Sequence, residues 1–202
     1  MLTGNQRILK RIFDIVVTLV ILPIVVFPLF IILVTVTIST KKNGLFVQNR
    51  VGYRGELFRL YKIRTLKGSD HKDAIEIHQS ETTFGRWLRV NKLDELPQVF
   101  NVLIGNMSWV GPRPDIPGYA DKLEGEDRII LSVKPGITGP ATLKYKNEDK
   151  ILLTLDNPLE YNDTVIWPDK VAINKLYVEH WSFRKDIYYL VASLFSINKS
   201  RL

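Results

Sequence analysis

Residues 12–38 read IFDIVVTLVILPIVVFPLFIILVTVTI, and between positions 12 and 40 the one charged side chain is Asp14. A helix needs only about 20 apolar residues to cross a bilayer, so this run must be shielded by lipid. The apolar core of a cleaved signal peptide runs about 7–15 residues and ends at a small-residue cleavage site; the segment is longer and shows no such site. The mean hydropathy of +0.00 therefore averages two unlike materials. The whole chain of 202 residues has 28 Lys and Arg against 21 Asp and Glu, a net charge of +7, and every charged residue except Asp14 lies outside the run.

Charge and proline frame the topology. Arg7, Lys10 and Arg11 precede the run, and Lys41 and Lys42 follow it. A spanning helix normally has one basic flank, on the cytoplasmic side, whereas here both flanks are basic. Pro23 and Pro28 fall inside the run, where each removes a helical hydrogen bond and bends the helix. A proline-kinked spanning helix and a re-entrant helix that enters and leaves through one leaflet are both open on these residues. Asp14 is costly deep in lipid and is expected at the headgroup level, paired with Arg7, Lys10 or Arg11.

The chain has no cysteine, which excludes disulfides and thiolate metal sites. With 46% hydrophobic residues it is not a disordered sequence. Residues 45–67 alternate in places around Gly52 and Gly55, a hairpin pattern, and set Arg50, Arg54, Arg59, Lys62, Arg64 and Lys67 against Glu56 alone. Such a field attracts phosphates or anionic headgroups, or forms a solvated basic surface. His71 and His78 are seven apart without an evident third ligand, so a zinc site is not expected.

Residues 84–105, FGRWLRVNKLDELPQVFNVLIG, carry the most information. Leu93, Leu96, Phe100, Leu103 and Ile104 form one helical stripe, and Asp94, Gln98 and Asn101 share another face. Pro97 is tolerated only in a first turn, so the spacing predicts a helix from about Asp94 that stops at Gly105. Asp94 and Glu95 then stand at its start, either as cap and first-turn acid or as a carboxylate pair for Mg²⁺, attack on phosphorus or proton transfer. Arg86, Arg89 and Lys92 are close in sequence. Pro112 and Pro114 stiffen the backbone about Arg113, whose fork of donors suits a diphosphate or, equally, carbonyls of its own turn. Pro135-Gly136 predicts a type II turn. Residues 147–168 read as an acidic loop. Residues 171–197 regain helical periodicity with interleaved aromatic and basic residues, suited to an interfacial helix or to ordinary packing.

In order, the chain shows Lys10-Arg11 with Asp14, Gln48-Asn49-Arg50-Val51-Gly52, Tyr61-Lys62-Ile63-Arg64-Thr65, Leu88-Arg89, Asp94-Glu95-Leu96-Pro97-Gln98, Asn101-Val102, Gly105-Asn106-Met107-Ser108, Val110-Gly111-Pro112-Arg113-Pro114 and Lys134-Pro135-Gly136-Ile137-Thr138-Gly139. In this order they resemble the bacterial sugar transferases, the monotopic phosphoglycosyl transferases, in their small form. The resemblance implies transfer of a phosphosugar from a UDP-sugar to a polyprenol phosphate with release of UMP, initiating glycan assembly. It implies Asp94 as nucleophile, Glu95 as its assistant, and both as Mg²⁺ ligands. Lys62, Arg64, Arg89 and Arg113 would offset substrate charge, Thr65 and Gln98 would orient oxygens, and Pro112 and Pro114 would frame Arg113. After Gly139 the chain departs from the usual pattern. Lys146 takes the position of an arginine, and Asn174 that of an acid.

The implied fold class is α/β of mainly helical content. Residues 1–42 would form a re-entrant membrane anchor with its kink at Pro23. Residues 43–202 would form a catalytic domain on the cytoplasmic face of the bacterial inner membrane, with interfacial amphipathic helices. UDP-sugar, polyprenol phosphate and inner-membrane lipid are the implied partners. The alternative is a noncatalytic membrane-surface protein of a glycan-assembly complex. Nucleic acid is not expected, because no nucleic-acid-binding motif accompanies the basic clusters.

Overall fold

The computed structural model describes residues 2–68 and 80–199, so His71 and His78 lie outside the described residues. The chain forms two compact units. The smaller comprises Asp14–Asn49 and Arg59–Gly105; the larger comprises Met1–Phe13, Arg50–Phe58 and Asn106–Leu202. Helical content predominates, as expected.

Helix α1, Gly4–Thr40, runs unbroken through both Pro23 and Pro28. Its 37 residues reach on the order of 55 Å at about 1.5 Å per residue. It is long and apolar enough to cross a membrane, and only 11% of its most apolar stretch is buried. In the smaller unit Leu29 and Val36 are buried and Val25, Ile32 and Leu33 pack beside them. Ile24, Phe27, Phe30 and Ile38 are each at least 65% exposed, a surface that water does not tolerate as one contiguous patch. The hydroxyls of Thr35, Thr37 and Thr40 donate back to the carbonyls of Ile31, Leu33 and Val36, satisfying these polar groups within the helix itself. The helix ends where Lys41 turns left-handed, with φ of 54°.

Strands β1, Leu45–Val51, and β2, Leu57–Ile63, pair as the expected hairpin. Arg54 and Gly55 supply the positive φ of its turn, and the Gly52 amide donates to Glu56 O at 2.8 Å. Helix α2, Thr83–Val90, is capped by Thr82, whose hydroxyl accepts from the Gly85 amide. Helix α3, Gln98–Ile104, stops at Gly105 in the left-handed region, with φ of 93°. Ile63, Phe84, Leu88, Leu93, Leu96 and Phe100 close over the buried stripe of α1. The predicted apolar stripe is incomplete, for Ile104 at its end is 58% exposed.

In the larger unit β3, Ser108–Val110, pairs in parallel with β4, Gly136–Thr138, with Ser108 opposite Gly136 and Val110 opposite Thr138. This corrects the type II turn expected at Pro135-Gly136. Gly136 has no positive φ and is needed instead for close approach of two backbones. A Cβ on Gly136 would stand 2.1 Å from Gly111 N, and one on Gly139 2.3 Å from Gly111 O. The two glycine- and proline-rich motifs are therefore two sides of one contact, closed by the Gly111 amide to Thr138 O at 2.9 Å and the Gly136 amide to Pro112 O at 2.8 Å.

Residues 147–168 are not the plain loop expected. They contain α5, Glu148–Leu152, α6, Pro158–Tyr161, and a π-helical turn, Asn162–Ile166. They follow α4, Pro140–Lys144. The C-terminal periodicity resolves into two helices, α7, Trp167–Glu179, and α8, Phe183–Lys199. Lys10 is paired not with Asp14 but with Asp186 of α8, at 2.5 Å. Tyr177 Oη and Trp181 Nε1 donate to the same carboxylate at 2.7 and 3.0 Å.

Candidate active site

Asp94 and Glu95 share one 3₁₀ turn, Leu93–Glu95, rather than the first turn of the α-helix expected there. Pro97 gives the reason. In an α-helix its ring would press on the Leu93 carbonyl; here that carbonyl takes a tighter bond from the Leu96 amide at 3.2 Å, and α3 begins one residue after the proline. Lys92 enters the turn left-handed, with φ of 57°, a conformation uncommon for residues with a Cβ. Leu93 and Leu96 pack against the core on either side, so the intervening Asp94 is left only 8% exposed.

Burial and the adjacent Glu95 carboxylate push the Asp94 carboxyl above its ordinary range, while Lys62, Lys92 and Arg89 pull it back. Among the described residues no side chain hydrogen-bonds or ion-pairs with Asp94, so these cations act on it through space. Lys62 stands 3.8 Å from Glu95. Its strand is held by Asn101, a residue whose role the sequence did not disclose. The Asn101 side chain accepts from the Tyr61 amide at 3.0 Å and donates to Arg59 O at 2.7 Å. It thereby clamps β2 on either side of Leu60 and one residue before Lys62.

The smaller unit thus gathers Lys62, Arg89, Asp94 and Glu95, with Lys92 as a further cation. Arg89 also ion-pairs with Glu81 at 3.4 Å. Gln98 is buried at 2% exposure, at the start of α3. Thr65 is buried as well, and its carbonyl accepts from the Thr82 amide at 3.2 Å. A Cβ on Gly85 would meet that carbonyl at 2.2 Å, which accounts for the glycine. Arg64 is directed elsewhere. Its Nε donates to Asn43 O at 2.8 Å and its guanidinium lies 5.4 Å from the centre of the Phe46 ring.

The other expected site residues belong to the larger unit. Pro112 and Pro114 are buried and Arg113 between them is half-buried. Their loop is stiff, as the prolines suggested. Pro112 O accepts from the Gly136 amide, Pro114 O from Arg50 at 3.4 Å, and Asp115 O from the Val51 amide at 2.9 Å. Lys146 is exposed just beyond α4. Asn174 is buried on α7, and its side-chain oxygen has no hydrogen-bond partner among the described residues.

Fold and site together define a protein with a membrane-length helix built onto a buried, cation-flanked carboxylate turn. Residues 5–200 match the bacterial sugar transferase family, and the chain belongs to that family. It is 32% identical over 210 residues to UDP-glucose:undecaprenyl-phosphate glucose-1-phosphate transferase of Klebsiella pneumoniae, covering 98% of this chain and 42% of that protein. It is 34% identical over 189 residues to the uncharacterized sugar transferase EpsL of Bacillus subtilis, covering 89% of this chain and 82% of the relative. With undecaprenyl-phosphate galactose phosphotransferase of Salmonella typhimurium it shares 30% over 202 residues, 91% of this chain and 39% of the other. The chain therefore spans less than half the length of two of these three relatives.

Proposed function

We propose that this protein transfers a phosphosugar from a UDP-sugar to a polyprenol phosphate at the cytoplasmic face of a bacterial inner membrane, releasing UMP. The observation that carries the reading is Asp94, a buried carboxylate kept without a direct partner beside Lys62, Lys92 and Arg89. An Asp94 oxygen attacks the sugar-bearing phosphorus, the bond from that phosphorus to the bridging oxygen breaks, and UMP leaves with the electron pair. A phosphate oxygen of the polyprenol phosphate then attacks the resulting acyl phosphate and returns the carboxylate. Lys62, Lys92 and Arg89 lower the repulsion between carboxylate and diphosphate, a charge stabilisation that needs no rearrangement during reaction.

The donor set fits Mg²⁺. Asp94 and Glu95 are adjacent oxygen ligands, and the described residues contain no cluster of three His, Asp or Glu side chains that would make a closed cage. Mg²⁺ is typically held by one or two carboxylates together with substrate phosphates. Asp94 and Glu95 would hold it, and when bound it would neutralise phosphate charge.

Two features support attachment to the membrane. One is the exposed apolar face of α1. The other is α8, where Tyr188, Leu194 and Phe195 are at least 60% exposed and Arg184 and Lys185 are exposed at the start of the helix, the composition of a helix lying in the interface. In the re-entrant reading Pro23 bends α1 without interrupting it. Labelling of position 1 from the cytoplasmic side alone is expected, and periplasmic labelling rejects re-entry.

Incubation of the detergent-solubilised chain with UDP-sugar labelled in its β-phosphate tests the chemistry. The wild type is expected to trap a labelled covalent species that Asp94→Asn does not form. Turnover with no such species points to direct transfer in a ternary complex. Full function of Asp94→Asn without UMP release points to the noncatalytic alternative.

A further inference from the structure

The larger unit carries a cleft of about 290 Å³ that the phosphotransfer reading does not use. It lies among the loop after β3, the start of α5, the π-helical turn and the start of α7. Arg50 and Lys170 supply two positive charges to its wall, and Asp115 and Glu148 two negative ones. Lys170 Nζ reaches both oxygens of Glu148, at 2.8 and 2.6 Å. Trp167 and Tyr119 form an aromatic corner, ring centres 5.3 Å apart and planes at 71°.

The π-helical turn holds that corner in place. Asp163 accepts from the Tyr119 hydroxyl at 2.8 Å, and the Asn162 amide donates to the same hydroxyl oxygen at 3.3 Å. Single π-helical turns occur frequently at functional sites. Here the turn brings Asn162 into the cleft lining directly ahead of Trp167.

Size and charge select the ligand. Sites for drug-sized molecules span about 300–1,000 Å³, so this cleft suits one ring rather than a whole nucleoside diphosphate sugar. Its lining charges balance, and a phosphate placed there would meet two carboxylates. A neutral ligand with several hydroxyls suits it better, because each hydroxyl donates to a carboxylate and accepts from Arg or Lys. Burial pushes the Asp115 carboxyl up to about 6 against the pull of Lys170, Arg50 and Arg113; it is still mainly an acceptor at neutral pH. An indole face is a flat apolar platform for the C–H face of such a ring.

We infer that this cleft binds a single neutral pyranose, packed on Trp167, with its hydroxyls shared among Asp115, Arg50 and the Lys170–Glu148 ion pair. The site lies wholly within the larger unit and stands independently of the transferase reading.

Saturation-transfer NMR on the full chain in detergent, with the methyl pyranosides of glucose, galactose, N-acetylglucosamine and N-acetylgalactosamine, tests this. At least one pyranoside is expected to give transfer that Trp167→Leu and Glu148→Gln each reduce at least tenfold. Glu148→Gln preserves shape and keeps the test valid if the tryptophan variant misfolds. No transfer to any pyranoside in the folded wild type overturns the inference. So does transfer that Glu148→Gln leaves intact, or a cleft that takes UMP and no pyranoside. A wild type that releases no UMP counts against the transferase reading and leaves the pyranoside result standing.

Discussion

Asp94 and Asp186 are both nearly inaccessible carboxylates, yet they are treated in opposite ways. Asp186 is fully buried and accepts from Lys10, Tyr177 and Trp181. Asp94 has cations nearby but no direct partner among the described residues, and burial pushes its carboxyl up. Burying a charge is costly unless it is paired and hydrogen-bonded. Asp186 has been satisfied as a structural group should be, whereas Asp94 is buried without that compensation. Unsatisfied burial, rather than depth, separates the two.

The largest expected effect follows from Asp94. Asp94→Asn should lower UMP release by at least about 10³-fold, the scale on which removal of a nucleophile acts, and should also raise Tm. The pH dependence follows from the raised carboxyl. The native state keeps the Asp94 proton to higher pH than the unfolded chain does, so stability is lost as pH rises from the ordinary carboxylate range through the raised value. The Tm advantage of Asp94→Asn should be absent in acid, where wild-type Asp94 is protonated in both states, and complete above that range. A variant less stable than wild type at neutral pH breaks the contrast.

Asp186→Asn should behave in the reverse sense. It leaves Lys10 buried at 6% exposure without its counter-charge, and breaking a buried pair typically costs about 3–5 kcal/mol. Chemical denaturation in detergent reads this directly. Asn101→Ala sharpens the contrast within the smaller unit itself. It strips two hydrogen bonds from the β2 backbone, and a loss of about 1–3 kcal/mol is expected.

These pairs also mark what the sequence alone discloses. The apolar helix, the hairpin, the stop at Gly105 and the carboxylate pair were all legible, because each depends on neighbours within a few residues. Asp186 was not, since its partner Lys10 lies 176 positions away. Asn101, whose bonds reach back 40 and 42 positions, was assigned only to a helix face. The two glycine motifs are visible as motifs, but the role of Gly136 is not. A turn and a close backbone approach both ask for glycine, and only the pairing with Gly111 distinguishes them. The cleft beside Trp167 was hidden because its walls come from Arg50, Asp115, Tyr119 and a π-helical turn in a segment that shows no periodicity.

The smallest expected effects are the most discriminating, because they differ in sign. Lys62 pulls the Asp94 carboxyl down and Glu95 pushes it up. Lys62 and Glu95 also face one another at 3.8 Å, too far for a direct hydrogen bond, so the coupling is modest, roughly 1 kcal/mol or less. Lys62→Met should reduce kcat/KM by no more than roughly fivefold at neutral pH, and it should move the acid limb of the pH–rate profile upward, because Asp94 must lose its proton without that cation's help. Glu95→Gln removes the like charge and should move the same limb downward, whatever it does to the maximum rate. A common direction for both variants would mean that the titrating group is not Asp94. The contrast between a satisfied and an unsatisfied aspartate would then fail as a guide to where the chemistry lies.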